Sequence, residues 1–124
     1  MTQIKLIYTT FSSVDYAKSI IQQLINEKLI ACANINSNMQ SMFSWQGEIC
    51  CEDEVSVILK TTNALIAEVI VRLKALHPYK IPCIIVMPID RVDADFAEWI
   101  NSVVKRSSMR EINQEQIGGG RIGL

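Results

Sequence analysis

The chain has 124 residues, of which 49% are hydrophobic, and its 12 basic and 13 acidic side chains leave a formal net charge of −1. That much apolar material excludes a disordered chain and suffices for one domain burying roughly two-thirds of its unfolded surface. The near-neutral balance argues against a nucleic-acid binder, which carries a basic face, and no apolar run approaches the ~20 residues of a membrane span.

The opening stretch, MTQIKLIYTTFSSVDYAKS, lacks the apolar core and small-residue cleavage site of a signal peptide, so the expected location is cytoplasmic. Residues 3–10 instead read as a strand, and their nearly continuous apolar run suggests a central place in a sheet. Ser12 or Ser13 can cap the helix that follows, with Asp15 suited to its positive end. Val14, Ala17, Ile20, Ile21, Leu24 and Ile25 form its apolar stripe, which ends near Leu29.

Residues 31–61 carry a period of two over an unusual length. Ala31, Ala33, Ile35, Met39, Phe43 and Trp45 alternate with polar groups in a first arm. Ile49, Cys51, Val55, Val57 and Leu59 do so in a second. Two such arms around Gly47 predict a β-hairpin. A two-residue loop would set each apolar residue opposite a polar one, so the pattern predicts a three-residue loop with Gly47 left-handed and a bulge. Each arm exceeds a dozen residues, against ~5–6 for an ordinary strand. A small domain cannot cover so long a ribbon, and part of the apolar face should meet another chain. The expected contacts are Met39, Phe43, Trp45 and Ile49.

Beyond the hairpin, Thr61, Thr62 or Asn63 can cap a second helix with Ile66, Val69, Ile70, Leu73 and Leu76 on its buried stripe. His77-Pro78-Tyr79 should end it, since a residue before proline disfavours helix. A short strand over 83–87 follows, closed by Pro88, and then a third helix capped by Asp93 with Phe96, Trp99, Ile100, Val103 and Val104 at helical spacing. Two βαβ units joined by a hairpin make βαββαβ, an α+β ferredoxin-like sandwich with an extra C-terminal helix. Residues 1–106 form this single domain; the tail 107–124 is polar, then glycine-rich, a composition that suggests mobility.

Cys32, Cys50, Cys51 and Cys83 include no C-x-x-C pair, so reduced thiols packing as small hydrophobes are expected. No Gly-x-Ser-x-Gly, no cysteine–histidine pair and no glycine-rich phosphate loop between a strand and a helix is present, which points away from an enzyme. By residue type alone, His77 and Glu48, Glu52, Asp53, Glu54 and the cysteines are candidate ligands of a metal ion; spacing selects none of them, and Cys83, His77 and Glu54 are put forward. Trp45, Lys60, His77 and Tyr79 are candidates to line a ligand pocket.

Several segments jointly resemble one family. They are Tyr8-Thr9-Thr10, Ala31-Cys32-Ala33-Asn34-Ile35, SMFSWQGE at 41–48, Glu54-Val55, Leu59-Lys60-Thr61, His77-Pro78-Tyr79-Lys80-Ile81-Pro82, and Phe96 with Trp99. The family is the CutA divalent-cation tolerance proteins, and the likeness runs from residue 3 to about 105. It implies homotrimers assembled through the long hairpins and a link to tolerance of copper and other divalent metals. The family's copper-ligand positions fall here on Tyr8, Leu76 and Cys83, and none matches in type. The Pro-Gly usual in the first hairpin arm is Ser37-Asn38; if Asn38 turns left-handed and keeps a kink, the alternation changes face there. The alternative reading is a trimeric small-molecule or signalling module resembling PII proteins, with sites between subunits near Trp45, Lys60, His77 and Tyr79.

Overall fold

The computed structural model describes residues 3–106. The tail expected to be mobile lies outside the described residues. Eight elements follow in order: β1 (Ile4–Phe11), α1 (Val14–Asn26), β2 (Cys32–Trp45), β3 (Glu48–Thr62), a 3₁₀ turn (Asn63–Leu65), α2 (Ile66–Leu76), β4 (Ile84–Pro88) and α3 (Ala94–Val103). The four strands form one sheet in the order β2-β3-β1-β4, every neighbouring pair antiparallel. Both β1 and β2 run against β3, so they are parallel to each other with β3 between. The βαββαβ sandwich is thus present, with α3 appended.

Local chemistry sets the helix ends. Ser13 caps α1 by accepting from the Tyr16 N–H at 3.1 Å. The helix stops where Lys28 turns left-handed (φ 59°) and the Leu29 N–H reaches back to the Leu24 carbonyl at 3.0 Å. Asp93 caps α3 in the same way as Ser13, accepting from the Phe96 N–H at 3.2 Å. The threonine cap expected for the second helix is not made. A 3₁₀ turn leads into α2, and neither Thr62 nor Leu65 caps with its side chain. His77 is extended before Pro78 and ends α2 as expected.

The core lies between one sheet face and helices α1 and α2. Ile7 and Phe11 of β1 and Val57 and Leu59 of β3 meet Ala17, Leu24, Val69 and Leu73, all essentially without solvent contact. Ile25 and Val103, placed on the stripes by spacing, stand 40% and 36% exposed. Arg72 of α2 grips Glu27 after α1 through two nitrogens, at 2.8 and 2.9 Å, and that contact is the first cause of the lowered Glu27 pKa. α3 meets the other face: the Lys60 ammonium lies 5.6 Å from the centre of the Phe96 ring, and Lys60 points away from the side of Leu59. All four cysteines are free thiols.

The hairpin departs from expectation at its turn. Trp45 pairs with Glu48, so the loop is the two residues Gln46 and Gly47. Their φ values of 51° and 82° are those of a type I′ turn. The odd residue sits elsewhere. Asn36 pairs with Ser56 and Met39 with Glu54, so Ser37 and Asn38 together oppose Val55, and Asn38 takes φ 64°. This bulge flips the alternation of β2 and leaves β3 unbroken. Ile35 therefore shares the helix face with Val57, whereas Met39, Phe43 and Trp45 lie on the opposite face with Glu54, Cys50 and Glu48. Ile49 stays on the helix-side face of the ribbon, opposite Ser44, and so is not on the face of Phe43 and Trp45.

Candidate functional site

On the face away from α1 and α2, the outer hairpin and the loop after α2 enclose a cleft of about 570 Å³. Because of the bulge, β2 presents Ser41, Phe43 and Trp45 to it, and β3 presents Cys50, Glu52 and Glu54. Tyr8 and Thr10 of β1 form its floor, and the Tyr8 hydroxyl lies 3.8 Å from the Met39 sulfur. The loop side is Tyr79, Lys80, Ile81 and Cys83.

A chain of contacts fixes that loop. His77 is 7% exposed and stacks on Phe11, ring centres 4.6 Å apart. Its Nε2 lies 2.8 Å from the Thr10 carbonyl, and its Nδ1 accepts the Tyr79 N–H at 3.2 Å. A backbone N–H requires an acceptor, so Nδ1 holds the lone pair and Nε2 the proton. The ring is neutral, and burial lowers its pKa, partly offset by the Thr10 carbonyl and Glu54. The next link is the Tyr79 hydroxyl, which donates to Glu54 Oε2 at 2.7 Å. Burial first, then that bond and the charges of Glu54 and Glu52, raise the Tyr79 pKa. Cys83 is likewise raised, by burial and then by Glu54, and remains a thiol.

Of the four expected pocket residues, Trp45 and Tyr79 share the cleft. Lys60 sits over Phe96, and His77 lies behind Tyr79, their ring centres 4.7 Å apart, without lining the cleft. Of the candidate metal ligands, Glu54 and Cys83 share the cleft wall, whereas neither His77 nitrogen keeps a lone pair free. Among the described residues no group of three or more histidine, cysteine, aspartate or glutamate side chains stands ready to hold a metal ion. The residues at the family's copper positions therefore do not form that site within one subunit. Glu52 and Cys50 were candidates only as metal ligands by type, and Ser41 was not singled out; that these share one cleft with Phe43 and Tyr8 was not read from the sequence. The Ser37-Asn38 kink was the signal that would have placed them, because it decides which side chains share the face of Phe43.

The split βαββαβ sandwich with a ribbon outgrowing its helices, locked by a His-Pro-Tyr loop, defines a ferredoxin-like protein of the elongated-hairpin kind. Residues 5–103 match the model of the CutA1 divalent ion tolerance protein family, and the chain belongs to that family. The divalent-cation tolerance protein CutA of Pyrococcus horikoshii is 38% identical over 101 residues, 82% of this chain and 98% of that one. The crystal structure of the divalent ion tolerance protein CutA1 from Ehrlichia chaffeensis superposes with a TM-score of 0.78 at 40% identity, covering 82% of this chain and 94% of that one. The Archaeoglobus fulgidus protein, described as periplasmic, gives a TM-score of 0.79 at 38% identity over 82% and 99% of the two chains.

Proposed function

We propose that this chain serves as a homotrimeric divalent-cation tolerance protein in the cytoplasm, a binding and response protein rather than an enzyme. The observation that carries the trimer is the hairpin beyond its bulge. Ile49 and Met42 are 81% and 72% exposed on one face, and Phe43 and Trp45 are 39% and 42% exposed on the other. Grease on both sides of a projecting ribbon is covered when copies of the chain pack hairpin to hairpin. The name shared by the relatives, divalent-cation tolerance protein, supports the role in metal tolerance. No ligand set is attached to this reading, because the described residues of one subunit assemble none.

Size-exclusion chromatography with light scattering should return three times the 14.0 kDa chain mass, and Ile49→Glu should lower it. A 14.0 kDa particle at micromolar concentration would overturn the trimer. Deletion of the gene should sensitise its host to copper or zinc salts, and the intact gene should restore growth. Calorimetric titration with the same ions tests direct binding; no heat and no rise in melting temperature would remove it. Cell fractionation checks the location.

A further inference from the structure

The helix layer carries a groove of its own, of about 520 Å³, between the end of α1 and the length of α2. Val71 lines it and is 70% exposed. Ala67 and Ala75 stand four residues to either side, so the three share one face of α2. The described chain returns to this groove as it ends: Lys105 lines it, and Arg106 is the last residue described. We propose that the groove seats the chain's own C-terminal segment, with Met109 and Ile112 against Val71.

Attachment comes first. The Lys105 N–H donates to the Lys28 carbonyl at 2.8 Å, and its ammonium meets Glu68 at 2.6 Å. These two contacts fix where the segment leaves the domain. Reach comes next. Ala67 to Ala75 spans about 12 Å of helix, and Ile112, six residues beyond Arg106, can extend up to ~20 Å from it. A segment tethered beside its groove meets it at roughly millimolar effective concentration, so a few apolar contacts suffice. Between 107 and 117 those contacts are offered by Met109, Ile112 and Ile117, and the glycine run begins only at Gly118. The charges agree as well. The rim is balanced, Glu27 against Arg72 and Glu68 against Lys105, and a segment of one sign would meet its like there. Residues 107–124 carry Arg110 and Arg121 against Glu111 and Glu115, with no net side-chain charge.

No residue lining the groove belongs to the hairpin, so the seat is separate from the contact between copies given above and does not rest on the trimer. The test is hydrogen exchange read by mass spectrometry on the full chain, against a synthetic peptide of residues 107–124. The amides of 109–117 should exchange about tenfold more slowly in the chain than in the peptide. Val71→Asp and Ile112→Asp should each return them to the peptide rate, and the double variant should do no more. Ile112→Asp changes none of the described residues, so a Val71→Asp chain that fails to fold leaves the test intact. Lys74→Glu, on α2 but outside the groove, should leave the protection in place. Val71→Asp and Ile112→Asp chains expressed together should both stay unprotected. Protection regained in that mixture would give the groove to another copy's segment and overturn the assignment to the same chain. Exchange at the peptide rate in the parent chain, or protection that survives Val71→Asp or Ile112→Asp, would overturn the seat itself.

Discussion

The Tyr79 hydroxyl donates to the Glu54 carboxylate at 2.7 Å and so ties the loop after α2 to the middle of the long hairpin. Both groups are partly buried, and the acceptor is charged, the stronger sort of hydrogen bond. Tyr79→Phe keeps the ring and removes the bond. It should cost about 1.5–3 kcal/mol in urea unfolding. Glu54→Gln keeps an acceptor and should cost less. No loss for Glu54→Gln would show that the charge contributes nothing, and a loss equal to that of Tyr79→Phe would show that a neutral acceptor does not hold the bond.

His77 makes stability depend on pH. Burial depresses its folded pKa below the unfolded value of 6.5, so the unfolded state binds the proton more readily. The histidine contribution is complete above that unfolded value and is lost as pH falls through the folded one. Protonation also takes the Nδ1 lone pair from the Tyr79 N–H. Melting followed between about pH 5 and 8 should fall on the acid side, and His77→Gln should flatten that part of the curve. An unchanged slope in the variant would assign the effect to other groups.

Thr9 and Thr61 are both fully buried on the same sheet face but differ in partnership. Thr61 donates to the Leu29 carbonyl at 2.6 Å. Among the described residues the Thr9 hydroxyl is buried without a hydrogen-bond partner. Valine has the same branched shape in a strand. Thr61→Val should therefore destabilise by about 1–2 kcal/mol, and Thr9→Val should be neutral or stabilising by up to about 1 kcal/mol. Denaturation midpoints in the opposite order would contradict the hydrogen-bond assignment.

At the hairpin turn, a Cβ on Gly47 meets no atom within 4 Å, so only its φ of 82° opposes a side chain. Gly47→Ala should cost about 1–2 kcal/mol from backbone strain alone. Gln46→Asn places a residue tolerant of positive φ at the first turn position and should raise the melting temperature. A Gly47→Ala variant as stable as the parent would mean that the turn re-forms with another geometry.

Most of the fold was legible because local patterns and global topology agree. The stripes of α1 and α3, the caps at Ser13 and Asp93 and the stop at His77-Pro78 each depend on a few neighbouring residues. The hairpin was legible in length but not in register. Period-two alternation fixes faces only while pairing is unbroken, and Asn38 breaks it with one left-handed residue. Alternation taken as unbroken therefore moves the odd residue to the turn and puts Ile49 beside Trp45. The site suffered in turn, because Glu52 joins Phe43 only after the flip. Lys60 was a pocket candidate by residue type, and only the packing of α3 shows it resting on Phe96.

The bulge at Ser37-Asn38 gives the ribbon two separate alphabets. Inward of it, odd positions of β2 write the core; outward of it, odd positions write the cleft. Loss of a single residue there would turn the tip over like a page, hiding the indole of Trp45 from the cleft while leaving the sandwich intact. The two halves are thus free to drift apart in evolution, one held by packing and the other by whatever it touches.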